Sequence, residues 1–258
     1  MVLICACGIR ETDSSTVVLG ATTTIEDSGL LVELQKSFAA GHPRFSLRTI
    51  TGGSGEILQL GRRADVDVTF THDPEAESTF VTEGHAEARR ELMYNYFLIV
   101  GPEADPAALR GNRDAVEGFK RIAAAEAAFV SRGDQSGTHR KELFLWREAG
   151  LDPPEAKPDW YSEAGAGMGD ALRVASERGA YILTEPGTFM VLRSQLRLAP
   201  LVEGDPRLLN RYALMRVNRT QHGEAADSLI AWLLGPASRD VIDQFGRAQF
   251  GDQLFRPR

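Results

Sequence analysis

Apolar residues in this chain fall in short β-branched runs separated by stretches of helical period. Runs at 16–21, 45–50, 65–70, 92–100, 127–130, 180–184, 198–202 and 211–217 predict strands. Leu30, Leu31, Leu34 and Phe38 share one helical face, and Asp27 or Ser28 suits the N-cap of that helix. Further helices are predicted from Glu56, over 75–90 and 105–109, and at 114–122, 141–146, 170–178, 225–234 and 239–245. Leu92 to Val100 is the longest predicted strand, closed by Gly101-Pro102. Strands alternating with helices predict an α/β fold with largely parallel sheets. No repeat of fixed period and no low-complexity linker interrupts the chain, so two domains would be joined by crossing strands.

Glycine and hydroxyl residues gather where a predicted strand hands over to a helix. Four such loops stand at 22–24, 51–55, 131–139 and 164–169. In an α/β sheet these turns lie at the carboxyl ends of strands, the edge where ligands bind. The richest is Ser131-Arg132-Gly133-Asp134-Gln135-Ser136-Gly137-Thr138-His139, which offers one guanidinium, hydroxyls and unshielded amides. Free amides at a helix start favour anions, so a small oxyanion is the expected ligand. Arg132 either pairs with Asp134 at the surface or faces that anion. Asp134 in turn either holds the guanidinium or accepts a proton from the ligand; the two roles separate a fully ionised dianion from hydrogen phosphate.

Nucleotide and hydrolase fingerprints are absent. Gly165-Ala166-Gly167-Met168-Gly169 lacks the dinucleotide spacing, no phosphate-loop lysine motif occurs, and Gly53-Ser54-Gly55 is not a nucleophile elbow. His72 with Asp73, and His85, are weighed as metal ligands and read as surface or capping residues; no metal site is expected. A net charge of −7, from 29 Lys+Arg against 36 Asp+Glu, argues against nucleic acid as a partner. The composition, 43% hydrophobic and 25% charged, is that of a soluble globular chain. The two cysteines, Cys5 and Cys7, stand too close in sequence for a good disulfide. Ile4-Cys5-Ala6-Cys7-Gly8 is similar to the end of a lipoprotein signal. Residues 1–15 are therefore expected to be a signal remnant or tether with Cys7 lipidated, the alternative being an apolar start of a cytoplasmic chain.

Several motifs, in order from about Val17 to Val217, resemble the TupA-type tungstate-binding proteins, substrate-binding subunits of bacterial ABC importers. They are Ala21 to Leu31, Leu60 to Val68 with His72 to Glu77, Met93-Tyr94-Asn95, Ser131 to His139, Trp160-Tyr161 with Gly167-Met168-Gly169, and Ala180 to Thr184. Thr22-Thr23-Thr24 stands for the family's Thr-Thr-Ser and keeps the hydroxyls. Glu56, Tyr96 and Glu185-Pro186 depart from the family pattern, and Glu56 bears on the charge around the second loop.

The resemblance implies a two-lobed, type II periplasmic-binding-protein-like fold, with residues 16–98 and 212–258 as lobe one and 99–211 as lobe two. The hinge is expected near Tyr96–Val100 and Asn210–Val217. Tungstate, or molybdate, would sit between the lobes on Thr22, Thr23, Thr24, Ser54, Arg132, Ser136, Gly137, Thr138 and Gly167, with Asp134 behind Arg132. No cofactor and no catalysis are implied. The expected partners are an ABC permease and ATPase, the expected state a monomer, and the expected location periplasmic or anchored at the cell surface. The alternatives are a phosphate-binding protein, a cytoplasmic oxyanion-sensing module and, third, an enzyme using His139 as base.

Overall fold

The computed structural model describes residues 15–258; Cys5, Cys7 and the expected signal remnant lie outside the described residues. The strands are β1 (Ser15–Thr22), β2 (Phe45–Gly52), β3 (Val68–Thr71), β4 (Arg90–Tyr96), β5 (Leu98–Pro102), β6 (Phe129–Ser131), β7 (Tyr161–Glu163), β8 (Ile182–Thr184), β9 (Leu198–Val202), β10 (Leu209–Arg216) and β11 (Arg256–Pro257). The helices are α1 (Thr23–Ser28), α2 (Leu30–Gly41), α3 (Ser54–Arg62), α4 (Pro74–Thr82), α5 (Ala115–Ala124), α6 (Gly137–Glu148), α7 (Pro153–Ala156), α8 (Met168–Arg178), α9 (Pro186–Leu192), α10 (Gly223–Leu233), α11 (Pro236–Gln244) and α12 (Arg247–Phe250).

These strands build two bodies. The first sheet runs β11-β4-β10-β3-β1-β2, with β1 parallel to β2 and β3, and with β10 antiparallel to both β3 and β4. The second combines β8-β5-β9 with the parallel pair β6-β7. The two pieces join where Val130 donates to the Tyr181 carbonyl (2.9 Å) and Tyr181 to that of Ala128 (2.8 Å).

Alternation along β1 explains why helices cover both faces of the first sheet. Val17 and Leu19 pack with Phe38, Leu229 and Trp232 on one side; Val18 packs with Leu58, Phe80 and Met215 on the other. The second sheet repeats this: Ile99 joins Phe119, Phe129 and Trp146, while Val100 joins Met168, Leu172 and Phe189. A strand apolar on both sides is the mark of a doubly covered sheet.

Residues 92–100 form two strands rather than one. Tyr96 pairs with Leu209 in the first sheet, and Leu98 pairs with Thr184 in the second. Phe97, between them, donates to the Leu208 carbonyl at 2.8 Å. The return crossing runs through residues 203–208, since β9 ends at Val202 and β10 begins at Leu209. All of β10 therefore lies in the first sheet. Glu185 is the N-cap of α9, with proline at a first-turn position that needs no N–H donor. Likewise α4 stops at Thr82, short of Arg90, where β4 begins.

Candidate functional site

All four glycine- and hydroxyl-rich loops meet along one interface between the two bodies. Thr22, Gly53, Ser136 and Gly167 are the N-caps of α1, α3, α6 and α8. A Cβ placed on Gly53 would lie 3.9 Å from the Ser136 Cα, and one on Gly55 would lie 3.9 Å from the Gln135 carbonyl. Gly137 has no room for a side chain, because its Cβ would fall 2.7 Å from the His72 ring of the other body. Arg140 adds an ion pair across the interface, 2.8 Å from Asp73.

Three of the four loops open on uncapped helix starts. α4, α5 and α7 are closed by Asp73, Asp114 and Asp152, whose carboxylates accept first-turn amides. α1, α3 and α8 have no side-chain cap. In α6 the Ser136 hydroxyl accepts from the His139 amide at 3.3 Å, so the amides of Gly137 and Thr138 keep no partner within the helix. Amides held open in this way carry partial positive charge toward the shared space.

Arg132 is the charge among them. It is 3% exposed, its Nη2 donates to the Asp134 carboxylate, and its Nε has no partner. The other Asp134 oxygen accepts from the Ser136 amide at 3.1 Å. Asp134 thus pairs with a buried guanidinium rather than one at the surface. The loop can turn this way because Gly133 takes φ 62°, where a Cβ would also strike the Glu163 side chain at 2.7 Å.

The hydroxyls divide by the protons they have to spare. The Ser54 hydroxyl accepts from the His72 amide at 3.4 Å, which leaves its own proton free. Thr22 and Thr24 share one hydrogen bond of 3.2 Å, while the Thr23 hydroxyl is buried without a partner. Thr138 differs from expectation. Its hydroxyl donates to Glu185 at 2.7 Å, so an anion would meet its amide instead.

Sequence reasoning missed the polar cluster behind these loops. Glu185 also accepts from the Tyr212 hydroxyl at 3.0 Å. Burial, and then the Glu185 carboxylate, hold the Tyr212 phenol well above its ordinary pKa, so it serves as a donor. His72 is not a surface or capping residue: it is buried, stacks on Tyr212, pairs through Nδ1 with Asn210 at 3.0 Å and lies 3.6 Å from Glu185. Its place at the carboxyl end of β3 was the available signal. His139 accepts the Gln135 amide on Nδ1 at 3.0 Å, and burial lowers its pKa, so the ring is neutral with its proton on Nε2. No group of three or more metal-ligating side chains occurs among the described residues.

Two cavities flank the meeting point, and Gly167 borders both. One, of about 460 Å³, is lined by Gly53, Glu56, Asp134, Gln135 and Gly167; the other, of about 350 Å³, by Thr23, Asp27, Gly167, Asp170 and Thr188. Burial, with Glu26 adjoining, raises the pKa of Asp27, while Arg132 opposes the shift. A larger cavity of about 700 Å³ lies at the crossing between Tyr96 and Glu203, where Arg110, Arg113 and Arg256 are exposed and none of the converging loops takes part.

This arrangement of loops has counterparts in known proteins. Residues 10–237 match the family model described as the PBP superfamily domain. The tungstate-binding protein TupA of Peptoclostridium acidaminophilum is 36% identical over 93% of this chain and 85% of its own length. The structure of the tungstate binding protein TupA from Desulfovibrio alaskensis G20 superposes with a TM-score of 0.81 at 37% identity, covering 95% of this chain and 99% of that one. That of the tungstate ABC transporter from Geobacter sulfurreducens gives 0.80 at 39%, covering 89% and 98%. These relatives are named as binding proteins and transporter components, not enzymes. With its fold, its four converging loops and its relatives in agreement, the chain belongs to the TupA-type tungstate-binding proteins of the PBP superfamily.

Proposed function

We propose that this protein captures tungstate, with molybdate as its competitor, by closing two lobes on the oxyanion, and delivers it to the permease and ATPase of an ABC importer. The observation that carries this is Arg132, a buried guanidinium aimed by Asp134 with Nε unpaired, set among three uncapped helix starts. A tetrahedral dianion has four oxygens and no proton to give, so it needs donors only. Arg132, the hydroxyls of Thr22, Thr23, Thr24, Ser54 and Ser136, and the amides around Gly137, Thr138 and Gly167 are such donors. Hydrogen phosphate would need an acceptor as well, and Asp134 is occupied with Arg132 and the Ser136 amide.

Lobe one is assigned to residues 16–98 and 212–258 and lobe two to 99–211, while the chain changes sheets at Phe97 and again within 203–208. Ligand contacts made only when the lobes meet would drive closure. The protein would act as a monomer outside the cytoplasmic membrane, in the periplasm or anchored through a lipid on Cys7. No helix among the described residues is long and apolar enough to cross a membrane.

Calorimetry across tungstate, molybdate, phosphate and sulfate tests this. One-to-one binding of tungstate is expected, and a ligand at about 1,000 times its Kd adds roughly 4 kcal/mol of stability, visible as a raised melting temperature. Heat with phosphate and none with tungstate or molybdate would overturn it.

A further inference from the structure

We propose that Thr188, from the first turn of α9, is a further ligand contact of this site: a neutral hydroxyl donor that meets the oxyanion opposite Thr23. This rests on the reading of the cleft as a tungstate site. Thr188 is 2% exposed, and its hydroxyl has no hydrogen-bond partner. Neighbouring threonines show what a buried hydroxyl here ordinarily does: Thr184 donates to the Glu185 carbonyl at 3.2 Å and Thr138 to the Glu185 carboxylate at 2.7 Å. Buried hydroxyls without a partner are destabilising and therefore uncommon.

The placement of this one is informative. It borders the cavity of about 350 Å³ that Thr23 and Gly167 also line, and the Thr23 hydroxyl is unpartnered too. Two unpaired hydroxyls from opposite bodies, Thr23 after β1 and Thr188 after β8, thus border one cavity with an uncapped helix start. α9 reaches this position because Gly187 lets it approach α1 closely; a Cβ there would lie 2.8 Å from that of Ser28. The carboxylates around the same cavity, Asp27 and Asp170, are on exposed residues, and Asp170 is paired with Arg173 at 3.0 Å.

The test compares Thr188→Val, which keeps the shape and removes the hydroxyl, with Thr188→Ser, which keeps the hydroxyl. Tungstate calorimetry on the full chain is expected to show Kd raised about tenfold for T188V and changed less than twofold for T188S. Melting of the ligand-free proteins supplies the second readout. T188V is expected to melt at or above the wild-type temperature, because it removes an unsatisfied buried group, whereas a purely structural hydroxyl would lower it. Wild-type Kd in T188V overturns the proposal. A wild-type protein that binds another tetrahedral oxyanion overturns the tungstate reading alone, and the same pair of variants on that anion then decides Thr188. A wild-type protein that binds no anion overturns both.

Discussion

The two halves of the cleft would meet the proposed anion by different means. The half built on the first sheet offers Thr22, Thr23, Thr24 and Ser54, all neutral, at helices whose starts are uncapped. The half built on the second offers Arg132, already matched by Asp134, at a helix capped by Ser136. Full charge is thus used once and is largely balanced within its own loop. The rest of the attraction comes from dipoles, which explains how a chain of net charge −7 can favour an anion. The halves also differ in the carboxylate beneath each of them. Glu77, under the first, is paired with Arg89 at 2.6 Å. Glu142, under the second, receives only neutral donors, the Ser131 hydroxyl, the Trp146 Nε1 (3.2 Å) and the Tyr161 hydroxyl (3.0 Å), and burial pushes it up to about 8.

The largest expected effect follows from the single charge. Arg132→Gln removes one or two charge-assisted bonds worth roughly 1.5–3 kcal/mol each, so tungstate affinity should fall about 100-fold or more. Calorimetry reads this directly. A loss of less than tenfold would mean that dipoles carry both halves, and the contrast between them would collapse.

Glu142 comes next, through stability. Its folded pKa is raised, so its contribution is full below the unfolded value of 4.5 and is lost as pH rises toward about 8. Glu142→Gln does not titrate. The wild-type protein should therefore lose stability relative to this variant between pH 5 and 8, by on the order of 4 kcal/mol at pH 8. Urea unfolding at several pH values measures it, and parallel curves would show that Glu142 is ionised in the fold. Glu77→Gln should instead cost stability, because it takes one of two carboxylates from Arg89 and leaves that guanidinium with Glu91 alone.

Much of this contrast was legible in the residue order, because strand-to-helix turns declare themselves through glycine and hydroxyls. β6 ends at Ser131 and α6 starts at Gly137, so the Arg132 loop stands where the pattern predicts. Other features depend on which sheet a residue joins, and an apolar run does not state that. Leu92 to Val100 has no glycine or proline at Phe97, yet the chain changes sheets there. Glu185 was read only as a departure from a family pattern, since its partners Thr138 and Tyr212 lie 47 and 27 residues away. Proline and glycine at 186–187 concealed α9 by imitating a turn, and Thr188 with it.

Within the neutral half, Ser54→Ala should weaken tungstate about tenfold, the effect of one neutral donor lost from a buried site. It also removes the acceptor of the His72 amide, so ligand-free melting must be followed alongside calorimetry. A loss as large as that of Arg132→Gln would erase the distinction between the halves.

The smallest effect concerns Glu56, an acid within the neutral half. It lies in the first turn of α3, is exposed, and folds its carboxylate back over Gly52, where a Cβ would be 2.6 Å from its oxygen. It also borders the cavity of about 460 Å³ together with Asp134. A carboxylate at a helix start is favourable for the helix, but it competes with an anion for the same field. Glu56→Gln should therefore shift two quantities in opposite directions. The ligand-free protein should melt slightly lower, and tungstate should bind about twofold more tightly at low salt, with the gain fading at high ionic strength as screening removes the repulsion. If affinity falls at all salt concentrations, Glu56 supports the α3 start more than it repels the ligand.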